Sequence, residues 1–248
     1  MNTLTTSFVA RLKRNDEAAW FELWQTFGPV IRAQLMKWGK GRIGSQTVQD
    51  LSQETMAALS DSIDRYDPTR GARFSTWLLA IAKHVLGDEM DRRNAQKRGS
   101  GRKGADFDDA WMASSGASVD ENYEAAVFRA KVEAAIRLVE KECEFMDFSI
   151  YRMRVLDGQP GKGVAAALGI SEPTVSRRLA KVRDMLRMRL KEVIATYSFT
   201  PEEEDEAERN GLGLNPSKTD DVLFDESIAE IYHRQTELRR QEQANLRP

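Results

Sequence analysis

The chain has 248 residues, with 37 lysines and arginines against 39 aspartates and glutamates, so its formal net charge is −2. Charged residues make up 31% and apolar residues 41%, a profile typical of soluble, helix-capable proteins and not of disordered or fibrous ones. A single cysteine, two histidines and the lack of any apolar run of roughly 18 residues argue against a cysteine-cluster metal site, a zinc enzyme and membrane insertion.

Charge is distributed unevenly along the chain. Residues 201–248 contain 13 acidic and 6 basic residues, whereas residues 162–191 contain eight basic and two acidic ones. A second basic cluster follows Asp88 and extends to Lys103. Two separate basic clusters and an acidic tail indicate a polyanionic partner that is contacted at two places. The alternative is that these charges are ordinary solvated helix faces.

Apolar residues recur at helical spacing through the first part of the chain, and no segment alternates convincingly with period two. We therefore predict an all-α protein with two small helical domains joined by a flexible linker. In the first domain, residues 1–98, Asn15-Asp16 can cap a helix that starts near Glu17, and residues 67–71 form a turn. A later helix begins near Ser75. The predicted core stripe of the helix before that turn is Val48, Leu51, Thr55, Leu59 and Ile63.

The rest of the chain divides by composition into three parts. Residues 99–122, rich in glycine, serine and aspartate, predict a flexible acidic linker. Residues 123–199 predict a second helical domain, and residues 200–248 form an acidic C-terminal extension with a helix after Thr219. One helix of the second domain has an apolar stripe of Phe145, Phe148, Ile150, Tyr151 and Val155. The stripe of the extension is Leu223, Ile228, Ile231, Tyr232 and Leu238.

Residues 164–179 have the pattern of a helix-turn-helix. Ala165 is small where two helices must cross closely, and Gly169 can take the left-handed conformation of the tight turn. Ser171 is a good N-cap for the second helix, which tolerates Pro173 in its first turn. The second helix exposes side chains suited to phosphates and base edges in a major groove: Thr174, Ser176, Arg177, Arg178, Lys181 and Arg183. The alternative is a generic antiparallel helix pair with a glycine turn.

Several short motifs occur in the order found in one protein family. The sequence DLSQET at 50–55 precedes IDRYDPTRG at 63–71 and FSTWL at 74–78, and a helix-turn-helix follows after a linker. With these motifs, residues 7–195 resemble regions 2 and 4 of bacterial RNA polymerase sigma factors. The resemblance is to the extracytoplasmic-function (ECF) type, which lacks the globular domain between those regions.

The resemblance implies that the first domain binds the clamp of the largest subunit of core RNA polymerase. The residues that match the family's contact pattern are Asp50, Leu51, Gln53 and Glu54. Asp50 and Glu54 share one helix face, and an acidic, amide-bearing patch complements a basic partner helix. Without the family match, the same residues would be interpreted as a solvated helix face.

The resemblance also implies promoter recognition at two places. The first domain would open and hold the −10 element, and the helix-turn-helix would bind the −35 element through the six residues of its second helix. The −10 residues would be Arg73, Phe74, Trp77, Lys83, His84, Asp88, Arg92 and Arg93. An unstacked base needs an aromatic or apolar surface with cations nearby. Trp77 is nevertheless more typical of a core residue, and Phe74 fits either role.

The implied function is that of a sigma factor and not of an enzyme, since the sequence has no nucleophile–base arrangement, phosphate loop or metal-ligand spacing. We expect no catalytic residues, no metal and no cofactor. The expected partners are core RNA polymerase, promoter DNA and an anti-sigma factor or other regulator. Because the N-terminus lacks a signal-peptide pattern, we expect a cytoplasmic bacterial protein.

Two questions stay open at the level of sequence. The alternative function is a stand-alone helix-turn-helix transcriptional regulator that binds duplex DNA without polymerase. For the extension 200–248 there are three hypotheses. It folds back on a basic DNA-binding face, it docks a regulator, or it is a solvated, disordered tail with a frayed helix.

Overall fold

The computed structural model of the protein describes residues 3–66, 73–98, 121–198, 205, 209 and 218–245. All regular elements in these ranges are helices, which confirms the all-α prediction for that part of the chain. The chain divides into two compact units, Met1–Val127 and Phe128–Pro248. The domain boundary predicted after residue 122 falls about one helical turn earlier. The predicted linker lies outside the described residues apart from its last two, which are helical.

The described part of the first unit is formed mainly by helices from the N-terminal half of the chain. They are α1 (Thr3–Lys13), α2 (Glu17–Gly39), α3 (Ser45–Ser62), a 3₁₀ turn (Ile63–Arg65) and α4 (Phe74–Arg98). Asp16 is the N-cap of α2, as predicted, and its Oδ1 accepts a hydrogen bond of 3.1 Å from the backbone N–H of Ala19. This bond satisfies one of the amide groups that a helix start leaves without a partner.

The core of the first unit lies where α2, α3 and α4 pack on one another. The stripe predicted on α3 and the following turn is buried throughout: Val48, Leu51, Thr55, Leu59 and Ile63. Gly39 allows the chain to turn tightly from α2 towards α3. A Cβ at this position would come within 2.3 Å of Ile43 Cδ1, so any side chain at residue 39 would displace Ile43 from the end of α2.

The described part of the second unit contains short helices between two long ones, followed by a further long helix. The elements are α5 (Glu121–Glu142, which begins in the first unit), α6 (Phe145–Tyr151), a π-helical turn (Arg152–Leu156), α7 (Gly161–Leu168), α8 (Glu172–Tyr197) and α9 (Lys218–Asn245). Helix α8 packs on both α6 and α7, and α9 packs on the π-helical turn. The residues that α8 buries recur every three or four positions: Val175, Leu179, Val182, Leu186, Leu190 and Val193.

Two details of the predicted apolar stripes are wrong. Phe145 is 87% exposed, because it is the first residue of α6 and its neighbours Glu144 and Met146 are exposed as well. In the extension, Leu223 is 58% exposed whereas Phe224 is fully buried. The helix predicted after Thr219 is present in the extension, where residues 218–245 are helical. Its acidic run, 202–206, lies outside the described residues except for Asp205.

Candidate nucleic-acid interface

The acidic, amide-bearing patch predicted to bind polymerase lies on α3. Asp50, Gln53 and Glu54 are exposed, and Asp50 Oδ1 accepts a hydrogen bond of 3.0 Å from Gln46 Nε2. Leu51, which the family pattern includes, is only 3% exposed and belongs to the core. The groups that a partner can contact are therefore the two carboxylates and the amide, whereas Leu51 packs in the core beneath them.

The two aromatic residues predicted to receive an unstacked base lie in the core of the first unit. Phe74 is 1% and Trp77 6% exposed. Tyr66 stacks on Trp77 at 4.9 Å between ring centroids, and its ring meets Phe74 edge-on at 5.5 Å. Neither ring presents a face to a base in this conformation. Their direct contact with a base stays a prediction, and it requires this aromatic cluster to open.

The start of α4 is held by the first turn of α5, within the same unit. Arg73 Nη1 lies 2.9 Å from Glu124 Oε2, and Tyr123 Oη donates a hydrogen bond of 2.8 Å to the backbone carbonyl of Ser75. Tyr123 is 2% exposed. Arg73, predicted to contact the −10 element, is thus neutralised by Glu124 in this structure.

The remaining predicted −10 residues follow along α4. Lys83 is exposed, and His84 Nε2 lies 3.4 Å from Asp88 Oδ2, a pair that is ionic only when the imidazole is protonated. His84, Asp88 and Arg92 are spaced four residues apart and share one polar flank of the helix, whereas Lys83 and Arg93 lie to either side of it. Sequence reasoning missed Glu89, which connects the two arginines.

Glu89 is a buried carboxylate that holds both arginines. Its side chain is 6% exposed, and it accepts hydrogen bonds from Arg92 Nε at 2.7 Å and Arg93 Nε at 2.6 Å. Burial alone would raise the pKa of Glu89, but these two bonds outweigh burial and hold the pKa below its usual value. Arg93 also donates to Thr47 Oγ1 at 2.9 Å and to the carbonyl of Arg42, so it joins α4 to the start of α3.

The helix-turn-helix predicted in the second unit is present as α7 and α8. Gly169 follows α7 with φ +64°, the left-handed conformation that the turn requires, and Ser171 caps α8 by accepting from the backbone N–H of Thr174. Val164, Ala165 and Val175 are buried together with Ile150 of α6. Hence α6 packs against the helix pair as a third element, which the motif itself does not reveal.

The six predicted contact residues of α8 do not share one environment. Thr174, Ser176 and Arg177 are at the N-terminal end, where Ser176 and Arg177 are exposed. Arg177 Nη2 donates to Thr174 Oγ1 at 3.4 Å. This end of a recognition helix is the part that enters a major groove in helix-turn-helix proteins.

Arg178 and Lys181 lie on one flank of α8, and both bind Asp147 of α6. Lys181 Nζ is 2.7 Å from Asp147 Oδ2, and Arg178 Nη1 binds the other oxygen. The Asp147 side chain is 2% exposed, against 36% for Arg178 and 54% for Lys181. Burial would raise the pKa of Asp147, but the hydrogen bonds from Lys181 and Arg178 lower it overall.

Arg183 lies on a different flank, where it pairs with Asp221 and Asp225 of α9. Its side chain is 15% exposed. Of the six predicted residues, Thr174, Ser176 and Arg177 are therefore the group whose environment suits base contacts directly. The other three are cations already held by carboxylates of α6 or α9.

Part of the first unit is similar to a known protein family. Residues 23–96 match the sigma-70 region 2 family, a segment that contains α3 and nearly all of α4. This segment is similar to sigma-70 region 2. The exposed patch on α3 and the cations of α4 both lie within the matched segment, whereas the helix-turn-helix lies outside it.

A curated relative extends the comparison. Over 94 residues the chain is 34% identical to the ECF RNA polymerase sigma factor RpoE of Cereibacter sphaeroides. The alignment covers 36% of this chain and 50% of the relative, so the chain spans about half the length of the curated relative that it matches. Both comparisons thus find similarity to sigma factors, and the second finds it to one of the ECF type.

Among the described helices, none is both long and apolar enough to cross a membrane. Within the same described ranges, histidine, cysteine and acidic side chains form no group of three or more that could hold a metal ion.

Proposed function

We propose that the protein is an ECF-type sigma factor that binds core RNA polymerase and directs promoter recognition in the bacterial cytoplasm. The observation that carries this proposal is region 2 at 23–96, with Asp50, Gln53 and Glu54 exposed on α3. A sigma factor acts by binding and not by catalysis. The exposed carboxylates complement a basic helix on the polymerase clamp.

The two units would bind two promoter elements. Region 2 would hold the −10 element through α4, and the N-terminal end of α8 would bind the −35 element in the major groove. Two weak modules on one chain raise each other's effective concentration, so that modest contacts give a specific complex. The exposed side chains of Ser176 and Arg177 support the second role. An anti-sigma factor or other regulator remains a predicted partner.

The test is reconstituted transcription with core polymerase and a pool of promoter-sized DNA fragments. Wild type is compared with Asp50→Ala/Glu54→Ala, and the matched control is Asp61→Ala/Asp64→Ala, which removes two exposed carboxylates from the end of α3 and its 3₁₀ turn. We expect specific initiation by wild type and by the control. Initiation by the first variant should be at least tenfold weaker, because it loses two residues that contribute strongly to the interface.

Other outcomes have distinct meanings. Equal activity of the two variants would remove the α3 patch from the polymerase interface. No initiation by wild type, combined with specific duplex binding without polymerase, would favour the stand-alone helix-turn-helix regulator.

A further inference from the structure

The N-terminal half of α9 has one face that fits a flank of α8. The residues on this face are Asp221, Phe224, Asp225 and Ile228. Phe224 is fully buried and Ile228 is 2% exposed, whereas their neighbours Val222 and Leu223 are 59% and 58% exposed. The spacing of three and four residues is that of one helix face, so a specific side of α9 is docked.

Two arginines of α8 meet the carboxylates of this face. Arg183 Nη2 lies 2.6 Å from Asp225 Oδ2, and its Nε donates to both oxygens of Asp225 at 3.0 Å. Arg187 Nη2 lies 2.6 Å from Asp221 Oδ1. The side chains of Arg183 and Arg187 are 15% and 6% exposed. The forked contact of Arg183 with Asp225 is of the kind that forms the stronger ion pairs in proteins, and Arg187 adds a single contact beside it.

Aromatic contacts complete the docked face. The guanidinium of Arg187 lies 4.6 Å from the centroid of the Phe224 ring, within the range of a cation–π interaction. Tyr151, 1% exposed, donates a hydrogen bond of 3.4 Å from Oη to Asp225 Oδ1. Burial raises the pKa of Tyr151 well above its ordinary value, so the hydroxyl stays a donor at neutral pH.

We propose that Tyr151, Arg183 and Arg187 form a docking surface for an acidic amphipathic helix, and that α9 occupies it in competition with DNA phosphates. Residues 218–230 contain five acidic residues and one basic residue, which matches the charge of the surface. A guanidinium held in a fork by a carboxylate cannot bind a phosphate with the same N–H groups. The choice of DNA as competitor rests on the proposed function, whereas the docking of α9 does not.

The test uses the full chain with Asp221→Asn/Asp225→Asn. The matched control, Glu226→Gln/Glu230→Gln, removes two carboxylates with the same spacing from exposed positions of the same helix. Hydrogen exchange of the amides in 218–245 reports docking. Binding to a fluorescent random-sequence duplex over a range of salt reports competition and needs no polymerase.

We expect faster exchange in 218–245 for the first variant and not for the control. Its duplex affinity at low salt should rise about tenfold beyond that of the control, and the salt slope should steepen by about 1 to 2, because each added phosphate contact contributes about 0.9. Phe224→Ala, which removes no charge, should produce both effects in the same direction. Circular dichroism identifies a variant that has not folded.

Two results would overturn the proposal. Unchanged exchange in both Asp221→Asn/Asp225→Asn and Phe224→Ala would show that these contacts do not hold α9. Faster exchange with a duplex affinity and slope equal to the control would show that α9 docks without competing with DNA. Neither the hydrogen-exchange nor the duplex-binding measurement contains polymerase. Both therefore test this proposal even if reconstituted transcription fails.

Discussion

Helix α4 of the first unit and α8 of the second each carry a cluster of cations, and in each a buried carboxylate holds two of them. In α4 the carboxylate is Glu89, which lies on the same helix, three and four residues before its arginines. In α8 it is Asp147, which comes from α6, 31 and 34 residues away in sequence. The chemistry is the same, but one pairing is local and the other is tertiary.

This difference determines what each carboxylate stabilises. The Glu89 pairs can form whenever α4 is helical, because residues three and four apart are neighbours on any helix. The Asp147 pairs form only when α6 packs against α8. Asp147 therefore contributes directly to the tertiary fold of its unit, whereas Glu89 orders side chains of its own helix and reaches α3 only indirectly, through the contact of Arg93 with Thr47.

The largest expected effect is that of Asp147→Ala. It leaves Arg178 and Lys181 without their acceptor and should lower the free energy of unfolding of the second unit by about 2 to 3 kcal/mol. Urea unfolding followed by circular dichroism measures it. All five tryptophans precede residue 112, so tryptophan fluorescence reports the first unit, which should unfold unchanged.

The control for this prediction is Glu144→Ala. Glu144 is 72% exposed and approaches Arg178 only at 3.9 Å, so its loss should cost less than about 0.5 kcal/mol. Equal losses for the two variants would mean that the buried pairs add nothing beyond surface electrostatics.

Two glycines allow a comparison of the units at the level of backbone conformation. Gly41 and Gly169 have φ +75° and +64°, and a Cβ at either position would have no neighbour within 4 Å. Alanine should therefore cost about 1 kcal/mol at each, from left-handed strain alone. Gly87→Ala within α4, also in open space, should instead stabilise by about 0.5 to 1 kcal/mol. An unchanged free energy of unfolding in Gly169→Ala would show that the turn adapts its conformation.

Glu89→Gln should have a smaller effect than Asp147→Ala. Arg92 is 69% exposed, and pairs of this spacing contribute about 0.5 kcal/mol each, so we expect a loss of about 0.5 to 1 kcal/mol by tryptophan fluorescence. Asp91→Asn, at an exposed position of α4, is the matched control. A loss as large as that of Asp147→Ala would contradict the distinction between local and tertiary pairing.

The smallest expected effect is on acid sensitivity. Both carboxylates have a pKa lower than usual in the folded chain. Such a group stabilises the fold above its unfolded pKa of about 4, and this stabilisation is lost as pH falls through the folded pKa. Asp147→Asn should therefore flatten the decline of the melting temperature below about pH 4 in circular dichroism. A decline as steep as in wild type would remove Asp147 as a source of acid sensitivity.

The parts of the structure that follow from local pattern were predictable. The cap at Asp16, the buried stripe on α3, the left-handed Gly169 and the cap at Ser171 all rest on short-range geometry that residue types specify. Glu89 was predictable in the same way, since its spacing from Arg92 and Arg93 is visible in the sequence.

The contacts between distant segments were not predictable from spacing. No periodicity connects Asp147 with Lys181, or Asp225 with Arg183, because each pairing depends on how whole helices pack. Phe224, by contrast, could have been predicted. It precedes Ile228 by four residues and Ile231 by seven, which is the spacing of one helix face, and Leu223 does not keep that spacing.

The docked face of α9 also has a consequence for the lifetime of the protein. Val222, Leu223 and Phe224 are consecutive apolar residues, and docking buries only the last of them. A chain with α9 released would present all three in an accessible segment, and proteases cleave accessible segments most readily. When opening is fast relative to cleavage, degradation follows the population of the released form. The ion pairs of Arg183 and Arg187 would thus also set how much of the protein persists in the cell.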